Sequence, residues 1–353
     1  MLNQKFNTIG ILGGGQLAMF LCKSAKKMDF KVYIYSESIN FSAKEFCDKF
    51  FVGKFDDEKK IKNFYESVDV VTIETENIPI KTLQSIDNVG KLKPSSKSIS
   101  ITQNRLSEKK FLNSLEGIKT TDFLEINCYG DVLYALKEFK GKLLLKSCEF
   151  GYDGKNQYMI NTANVAEFKK FRFENFIAEK FVEFEKEISV IITRDNHKNL
   201  TFFPPVHNFH EESILRTTEY PANLNPILEK KAVDQATLIS EKLDITGIIA
   251  IEMFIIKKNQ ILINELAPRP HNSGHWTIDC CETSQFDNLI LAITNNQIHK
   301  PNIFSGGLMK NIIGEDYENF NKGKNGIYYD YFKKVVRPKR KMAHCTYKKK
   351  IKV

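Results

Sequence analysis

The apolar and polar positions near the N-terminus change period in a set order. Thr8-Ile9-Gly10-Ile11-Leu12 is a short run of apolar and β-forming residues that stops at Gly13-Gly14-Gly15. From residue 16 to 28, Leu17, Phe20, Leu21 and Ala25 recur at helical spacing. Runs at 31–35 and 69–73 again read as strands. Strand, glycine turn, helix, strand is a βαβ unit, which predicts a parallel sheet. Lys93-Pro94 and the serines after it mark the expected end of this first domain.

Beyond that point the pattern is different. Residues 103–115 read as a charge-rich helix. Strands follow at 142–146, 176–180 and 187–192, with a glycine-containing turn, Gly151-Tyr152-Asp153-Gly154, between the first two. Apolar runs at 247–256 and 260–266 are separated only by Lys257-Lys258-Asn259, which is hairpin spacing with polar turn residues. After Ser305 come short strand-like runs, then Lys348-Lys349-Lys350.

The chain has 353 residues, and at roughly 100–200 residues per domain it predicts two or three domains. The hydrophobic share is 42% and the charged share 27%, values ordinary for a globular protein. The net charge of +9 is spread along the chain, which suits steering of an anionic substrate. No basic motif with interleaved aromatics is present, so no nucleic-acid partner is expected. The 7 cysteines are odd in number and show no CxxC pair, so neither a disulfide framework nor a zinc site is expected. No apolar run approaches the ~18 residues of a membrane span, and no basic-then-apolar leader pattern opens the chain. The expectation is a soluble cytoplasmic protein with no membrane partner.

Candidate chemistry begins at the glycine turn. Glycines before a helix N-terminus suit an anion, because the first amides lack partners and carry partial positive charge. Three readings fit: a tight turn, a substrate-phosphate site, or a dinucleotide site. For the last, Gly13-x-Gly15-x-x-Ala18 fits the looser fingerprint and Glu37 is the acidic residue about 20 positions on. Further along, Lys146 ends an apolar strand ahead of Gly151-Tyr152-Asp153-Gly154-Lys155, as a phosphate clamp would. Glu179-Lys180-Phe181-Val182 follows another strand, where backbone groups suit an adenine edge and a carboxylate suits ribose; Glu187 comes next.

Glu252 and Glu265 each interrupt an apolar strand of the expected hairpin. Buried charges need partners or metal. Two carboxylates on one hairpin face, with an amide oxygen and phosphates, form a hard oxygen site suited to Mg²⁺. Arg269, His271, Asn272, Ser273 and His275 then follow Glu265 within a few positions. Arginine suits a phosphoryl or carboxyphosphate group, and histidine suits orienting or accepting a proton.

These residues resemble a known family. Gly13-Gly14-Gly15-Gln16-Leu17, TIETENIP (72–79), Gly151-Tyr152-Asp153-Gly154-Lys155, Pro205-Val206-His207-Asn208-Phe209-His210, Ile214-Leu215-Arg216 and NELAPRPHNSGHWTIDCCETSQF (264–286) together resemble the 5-(carboxyamino)imidazole ribonucleotide synthetases of purine biosynthesis. The resemblance implies a mixed α/β and α+β protein of the ATP-grasp fold. It would have a Rossmann-like pre-ATP-grasp domain (1–100), an ATP-grasp domain (101–300) with its lid at about 118–185, and a small β-rich C-terminal domain (301–353). The implied activity is that of an ATP-dependent carbon–nitrogen ligase acting on ATP, bicarbonate and 5-aminoimidazole ribonucleotide. Homodimerisation is a family expectation.

Carried over by motif, ATP is expected at Arg105, Lys146, Gly151, Tyr152, Asp153, Gly154, Lys155, Asn156, Gln157, Glu179, Lys180, Phe181, Val182, Glu187, His210, Asn264 and Glu265. Magnesium, with Mn²⁺ as substitute, is expected at Glu252 and Glu265. The ribonucleotide is expected at Gly15, Gln16, Leu17, Glu76, Asn77, Tyr152, Asp153, Arg269, His271, Asn272, Ser273, Lys334, Arg340 and Lys341. Arg269, His271 and Lys146 are the expected catalytic groups. Phe150 and Asn156 stand where the family usually has glycine, which implies a stiffer phosphate turn; Ala18 also replaces a common glycine. Another ATP-grasp ligase, such as a formate-using glycinamide ribonucleotide transformylase or a biotin carboxylase, would share the glutamate pair but not the 268–276 segment. An NAD-dependent oxidoreductase would use the first βαβ unit and leave the pair unexplained. A non-catalytic nucleotide-binding regulator would not need the lysine, glutamates and arginine.

Overall fold

The computed structural model describes residues 6–149, 156–331 and 336–351. The first sheet is parallel, in the order β3-β2-β1-β4: β1 (Thr8–Leu12), β2 (Lys31–Ser36), β3 (Lys49–Val52) and β4 (Val70–Ile73). The expected βαβ unit is present, with α1 (Gln16–Lys27) as its crossover. The helices α2 (Glu58–Glu66), α3 (Ile80–Asp87), α4 (Ser96–Gln103) and α5 (Arg105–Asn113) follow. The helix expected over 103–115 is α5, which starts after a break from α4. Asn104 is extended, and its side chain accepts from the Ser107 amide, so it caps α5 where α4 has just ended.

A second, antiparallel sheet has the order β5-β8-β6-β7: β5 (Phe123–Ile126), β6 (Lys142–Ser147), β7 (Gln157–Asn161) and β8 (Phe176–Lys180). The helix α6 (Tyr129–Glu138) covers it, and Val132 and Leu136 pack with Leu143 and Leu145.

The largest sheet contains β9 (Lys186–Arg194), β10 (Leu200–Glu211), β11 (Ile214–Tyr220), β12 (Gly247–Ile256), β13 (Gln260–Ala267), β14 (Gly306–Ile313), β15 (Gly326–Asp330) and β16 (Lys341–Lys349). Its order is β13-β12-β9-β10-β11-β14-β16-β15, so the C-terminal strands extend this sheet through β11 and β14. β9 and β12 are apolar over most of their length because both faces are covered. Val190, Ile192, Ile249 and Ile251 pack toward α7 (Pro226–Lys242). Ile191, Ile248 and Ala250 share the other core with α9 (Gln285–Ile293), which lies beyond the short α8 (Thr277–Cys280) and packs against α1. Alternation along a strand then puts Glu187, Ser189 and Glu252 on the α9 face.

Candidate active site

The hairpin of β12 and β13 sets Glu252 directly opposite Glu265. The register slips just beyond that pair, where Met253 faces Ile263, so Asn264 is the extra, bulged residue. Glu252 is buried, 3.4 Å from His271 Nε2, and accepts from Asn264 Nδ2 at 3.5 Å. Glu265 Oε2 accepts from Arg105 Nη1 at 3.2 Å. The two carboxyls are therefore shifted in opposite directions. Burial, with the Glu265 and Glu187 charges adding, raises the Glu252 carboxyl above its usual range. Burial works against ionisation of Glu265 as well, but Arg105 and Lys146 outweigh it and hold that carboxyl low.

Donor atoms of Glu187, His210 and Glu252 also lie within 4.8 Å of one another. His210 Nδ1 sits 2.8 Å from Glu187 Oε2. Burial opposes the charge on His210, yet the Glu187 carboxylate raises its pKa above the ordinary value. The oxygen-rich donors around Glu252, and a carboxyl there held above its normal range by burial with neighbouring carboxylates adding, suit a hard divalent cation.

A chain of buried hydrogen bonds orients His271. Thr218 donates to Asn208 at 3.0 Å, Asn208 to Ser189 at 3.0 Å, and Ser189 to Ser273 at 2.7 Å. Ser273 Oγ is 2.8 Å from His271 Nδ1, and the Ser273 amide also points at that nitrogen, at 3.4 Å. Nδ1 is thus the acceptor, which leaves the ring proton on Nε2, facing Glu252. Burial, then the nearby Arg269 charge, depresses the His271 pKa well below normal and keeps the ring neutral. Arg269 Nε donates to Glu76 Oε2 at 2.6 Å and its Nη1 to the Pro270 carbonyl at 3.0 Å.

On the small sheet, Lys146 and Glu179 form a buried pair at 2.8 Å. Burial opposes ionisation of Glu179, but Lys109 and Lys146 outweigh it and hold the carboxyl at about 2. Its carboxylate is turned onto these lysines and does not stand open for a ribose.

One cavity of about 570 Å³ joins these parts. Its wall includes Gly15, Gln16, Leu17, Glu76 and Asn77 from the first domain, and Arg105, Lys146 and Gln157 from the middle of the chain. Glu187, His210, Glu252, Asn264, Glu265, Arg269, His271, Asn272 and Lys341 complete the expected residues there. Lys180, Phe181, Val182, Asn156 and Arg340 do not line it. Ser273 does not either; its hydroxyl is wholly buried and serves to orient His271. Asn156, where the family usually has glycine, takes φ +55, a left-handed conformation that asparagine tolerates better than most residues. Gly151, Tyr152, Asp153, Gly154, Lys155 and Lys334, with Phe150, lie outside the described residues.

The glycine turn is filled from within. Glu74 Oε1 accepts from the Gly15 amide at 2.8 Å and Oε2 from Ala18 at 3.4 Å. A Cβ on Gly13, at φ +100, would come within 2.4 Å of the Glu74 side chain, and one on Gly15 within 2.7 Å. A side-chain carboxylate occupies the place where a dinucleotide would put its pyrophosphate, and Glu37 accepts from the Phe55 amide beyond β3 at 3.2 Å. Gln16 meanwhile reaches across to Asn272 at 2.8 Å. Glu74, Glu108, Lys109, Ser189 and Asn208 were not among the expected site residues. Only Glu74 and Asn208 lie within motifs singled out above.

Comparison with known proteins agrees with this geometry. The chain matches the family "ATP-grasp domain" over residues 111–286, "Ribonucleotide synthetase preATP-grasp domain" over 6–103 and "Phosphoribosylaminoimidazole carboxylase C-terminal domain" over 307–350. The N5-carboxyaminoimidazole ribonucleotide synthase of Bacillus subtilis (strain 168) is 33% identical over 347 residues, 97% of this chain and 91% of its own. That of Staphylococcus aureus (strain COL) is 34% identical, over 96% of this chain and 92% of its own. A crystal structure of an N5-carboxyaminoimidazole ribonucleotide synthetase with ADP matches with a TM-score of 0.94 at 35% identity, over 99% of this chain and 95% of that one. The Aspergillus clavatus N5-carboxyaminoimidazole synthase, solved with ADP and 5-aminoimidazole ribonucleotide, matches with a TM-score of 0.89 at 28% identity, over 99% and 94%. With full-length relatives of this kind and an ATP-grasp hairpin facing an arginine–histidine pocket, the chain belongs to the N5-carboxyaminoimidazole ribonucleotide synthase family of ATP-grasp ligases.

Proposed function

We propose that this protein carboxylates the exocyclic amine of 5-aminoimidazole ribonucleotide, consuming ATP and bicarbonate and releasing ADP and phosphate. The observation that carries the reading is the shared cavity. Lys146, Glu252 and Glu265 border it on the nucleotide side, and Arg269, Glu76 and Gln16 border it on the other.

ATP lies with its phosphates toward Arg105 and Lys146, and Glu187 and His210 serve the nucleoside. Glu252 and Glu265, with Asn264 beside them, hold the divalent cation. When bound, Mg²⁺, or Mn²⁺ in its place, neutralises the charge that spreads over the phosphoryl oxygens. A bicarbonate oxygen attacks the γ-phosphorus in line, the bond to the β–γ bridging oxygen breaks, and ADP leaves. The product, carboxyphosphate, hydrolyses readily, so the small sheet within 118–185 acts as a lid that keeps water out. The ribonucleotide amine then attacks the carboxyl carbon, phosphate departs, and the amine proton leaves with it. The guanidinium of Arg269, fixed by Glu76, binds the carboxyphosphate anion. Neutral His271 orients the reacting groups through its Nε2–H. Lys341 and Gln16 hold the ribonucleotide from the C-terminal strands and the glycine turn. We place the protein in the cytoplasm as a homodimer.

A phosphate-release assay tests the reading. Release is predicted to require both bicarbonate and 5-aminoimidazole ribonucleotide. Glu265→Gln is predicted to lower it by about 10²–10³-fold or more while leaving circular dichroism unchanged. Release that required formate or biotin would move the assignment to another ATP-grasp ligase.

A further inference from the structure

α5 turns charged side chains at positions 105, 108 and 109 toward β13, and each grips a different part of one short stretch. Arg105 binds the Glu265 carboxylate at 3.2 Å. Glu108 Oε2 accepts from the Leu266 amide at 3.0 Å. Lys109 Nζ donates to the Asn264 carbonyl at 3.0 Å. The peptide groups on both sides of Glu265 are therefore held from a single helical turn. β13 is the edge strand of its sheet; on its outer side the Ile263 amide donates to the Lys119 carbonyl at 2.8 Å, and past the bulged Asn264 the contacts to the outer side come from Lys109 and Glu108. Glu108 and Lys109 are only 2% and 1% exposed. Charges buried this deeply are a poor way merely to fasten a helix to a sheet, since apolar packing does that as well or better. Lys109 Nζ also lies 3.7 Å from Glu179 Oε1, whose other oxygen holds Lys146. The same ammonium thus ties the bulged strand to the small sheet.

We propose that Glu108 and Lys109 are positioning residues for the nucleotide–metal site. They set the bulge at Asn264 so that the Asn264 and Glu265 side chains meet the same cation and phosphates. This inference rests on the ATP-dependent reading above. Its test is calorimetric titration with Mg·ADP, alongside steady-state kinetics and thermal melting.

Glu108→Leu keeps the volume and removes the acceptor; Glu108→Gln keeps an acceptor oxygen; Lys109→Met removes the donor to Asn264. Glu108→Leu and Lys109→Met are expected to weaken Mg·ADP binding by about tenfold or more and to raise KM for ATP in step. KM for 5-aminoimidazole ribonucleotide should stay within about twofold, and Glu108→Gln should restore nucleotide affinity to within about twofold of the parent. Lower melting temperatures with Mg·ADP affinity unchanged would show that the residues only brace the fold and would overturn the proposal. Should Glu108→Leu not fold, Glu108→Ser, too short to reach the Leu266 amide, takes its place: weakened Mg·ADP binding supports the proposal, and unchanged binding overturns it. A parent enzyme that binds Mg·ADP but does not carboxylate would count against the functional reading, while the calorimetric comparison would still decide the positioning role.

Discussion

At the residue scale, the same side-chain type behaves differently according to what is buried beside it. Glu252 and Glu265 face each other across a hairpin, yet only Glu265 has an arginine on its carboxylate, and the two shift in opposite directions. The pair is legible in the sequence because a charge that interrupts an apolar strand needs a partner. Glu108 and Lys109 are not, because charge on a helix ordinarily faces water. The histidines divide in the same way. Carboxylates surround His210 and keep its pKa up, whereas His275 and His344 are wholly buried, with Nε2 atoms that have no hydrogen-bond partner among the described residues. Burial, with the Lys341 charge adding, depresses the His275 pKa to about 3. The unfolded chain takes that proton near pH 6.5, so between about pH 3 and 6.5 the unfolded state binds more protons and stability falls as pH drops. His275→Phe, placed among Phe20 and Phe286, is predicted to flatten melting temperature against pH in this window. It should remove up to about 1.4 kcal/mol of stability loss per pH unit. Identical slopes in variant and parent would show that His275 carries none of the acid sensitivity.

At the scale of the element, the hairpin and the βαβ unit are readable because their apolar runs are long and sharply bounded. β3 is not: it is a short edge strand, Lys49 and Phe50 are exposed, and so its pattern carries little signal. The 103–115 helix is readable as well, but its start is not, because Asn104, the cap, breaks no apolar period. The glycine turn shows the limit of a local motif. Its glycines are needed, but the close approach they permit is to Glu74, a residue of the chain itself. Glu74→Ala is predicted to leave the amides of Gly15 and Ala18 without this acceptor and to destabilise the protein by about 1–3 kcal/mol. Chemical denaturation checks this; a change well below that range would mean water satisfies the turn equally well. Because Gln16 leads from this turn to Asn272, the same variant should also raise KM for 5-aminoimidazole ribonucleotide more than KM for ATP.

On the scale of the whole molecule, the cavity takes its wall from the loops that follow β1 and β4, from the other two sheets, and from both ends of the chain: Gln16 and Glu76 near the start, Lys146 on the small sheet, the hairpin glutamates, and Lys341 near the end. Glu76 and Lys341 are invisible to periodicity or spacing; motif resemblance alone points to them. No described helix is long and apolar enough to cross a membrane. Joining the nucleotide side to the arginine–histidine side in one cavity is what would let an unstable mixed anhydride pass from one reactant to the next. If it does so, an oxygen atom must move from bicarbonate to phosphate. Rapid-quench turnover with ¹⁸O-labelled bicarbonate follows that atom. The prediction is one labelled oxygen in every phosphate released in the presence of ATP and 5-aminoimidazole ribonucleotide. Phosphate that carries oxygen from water instead would contradict carboxyphosphate formation at this site.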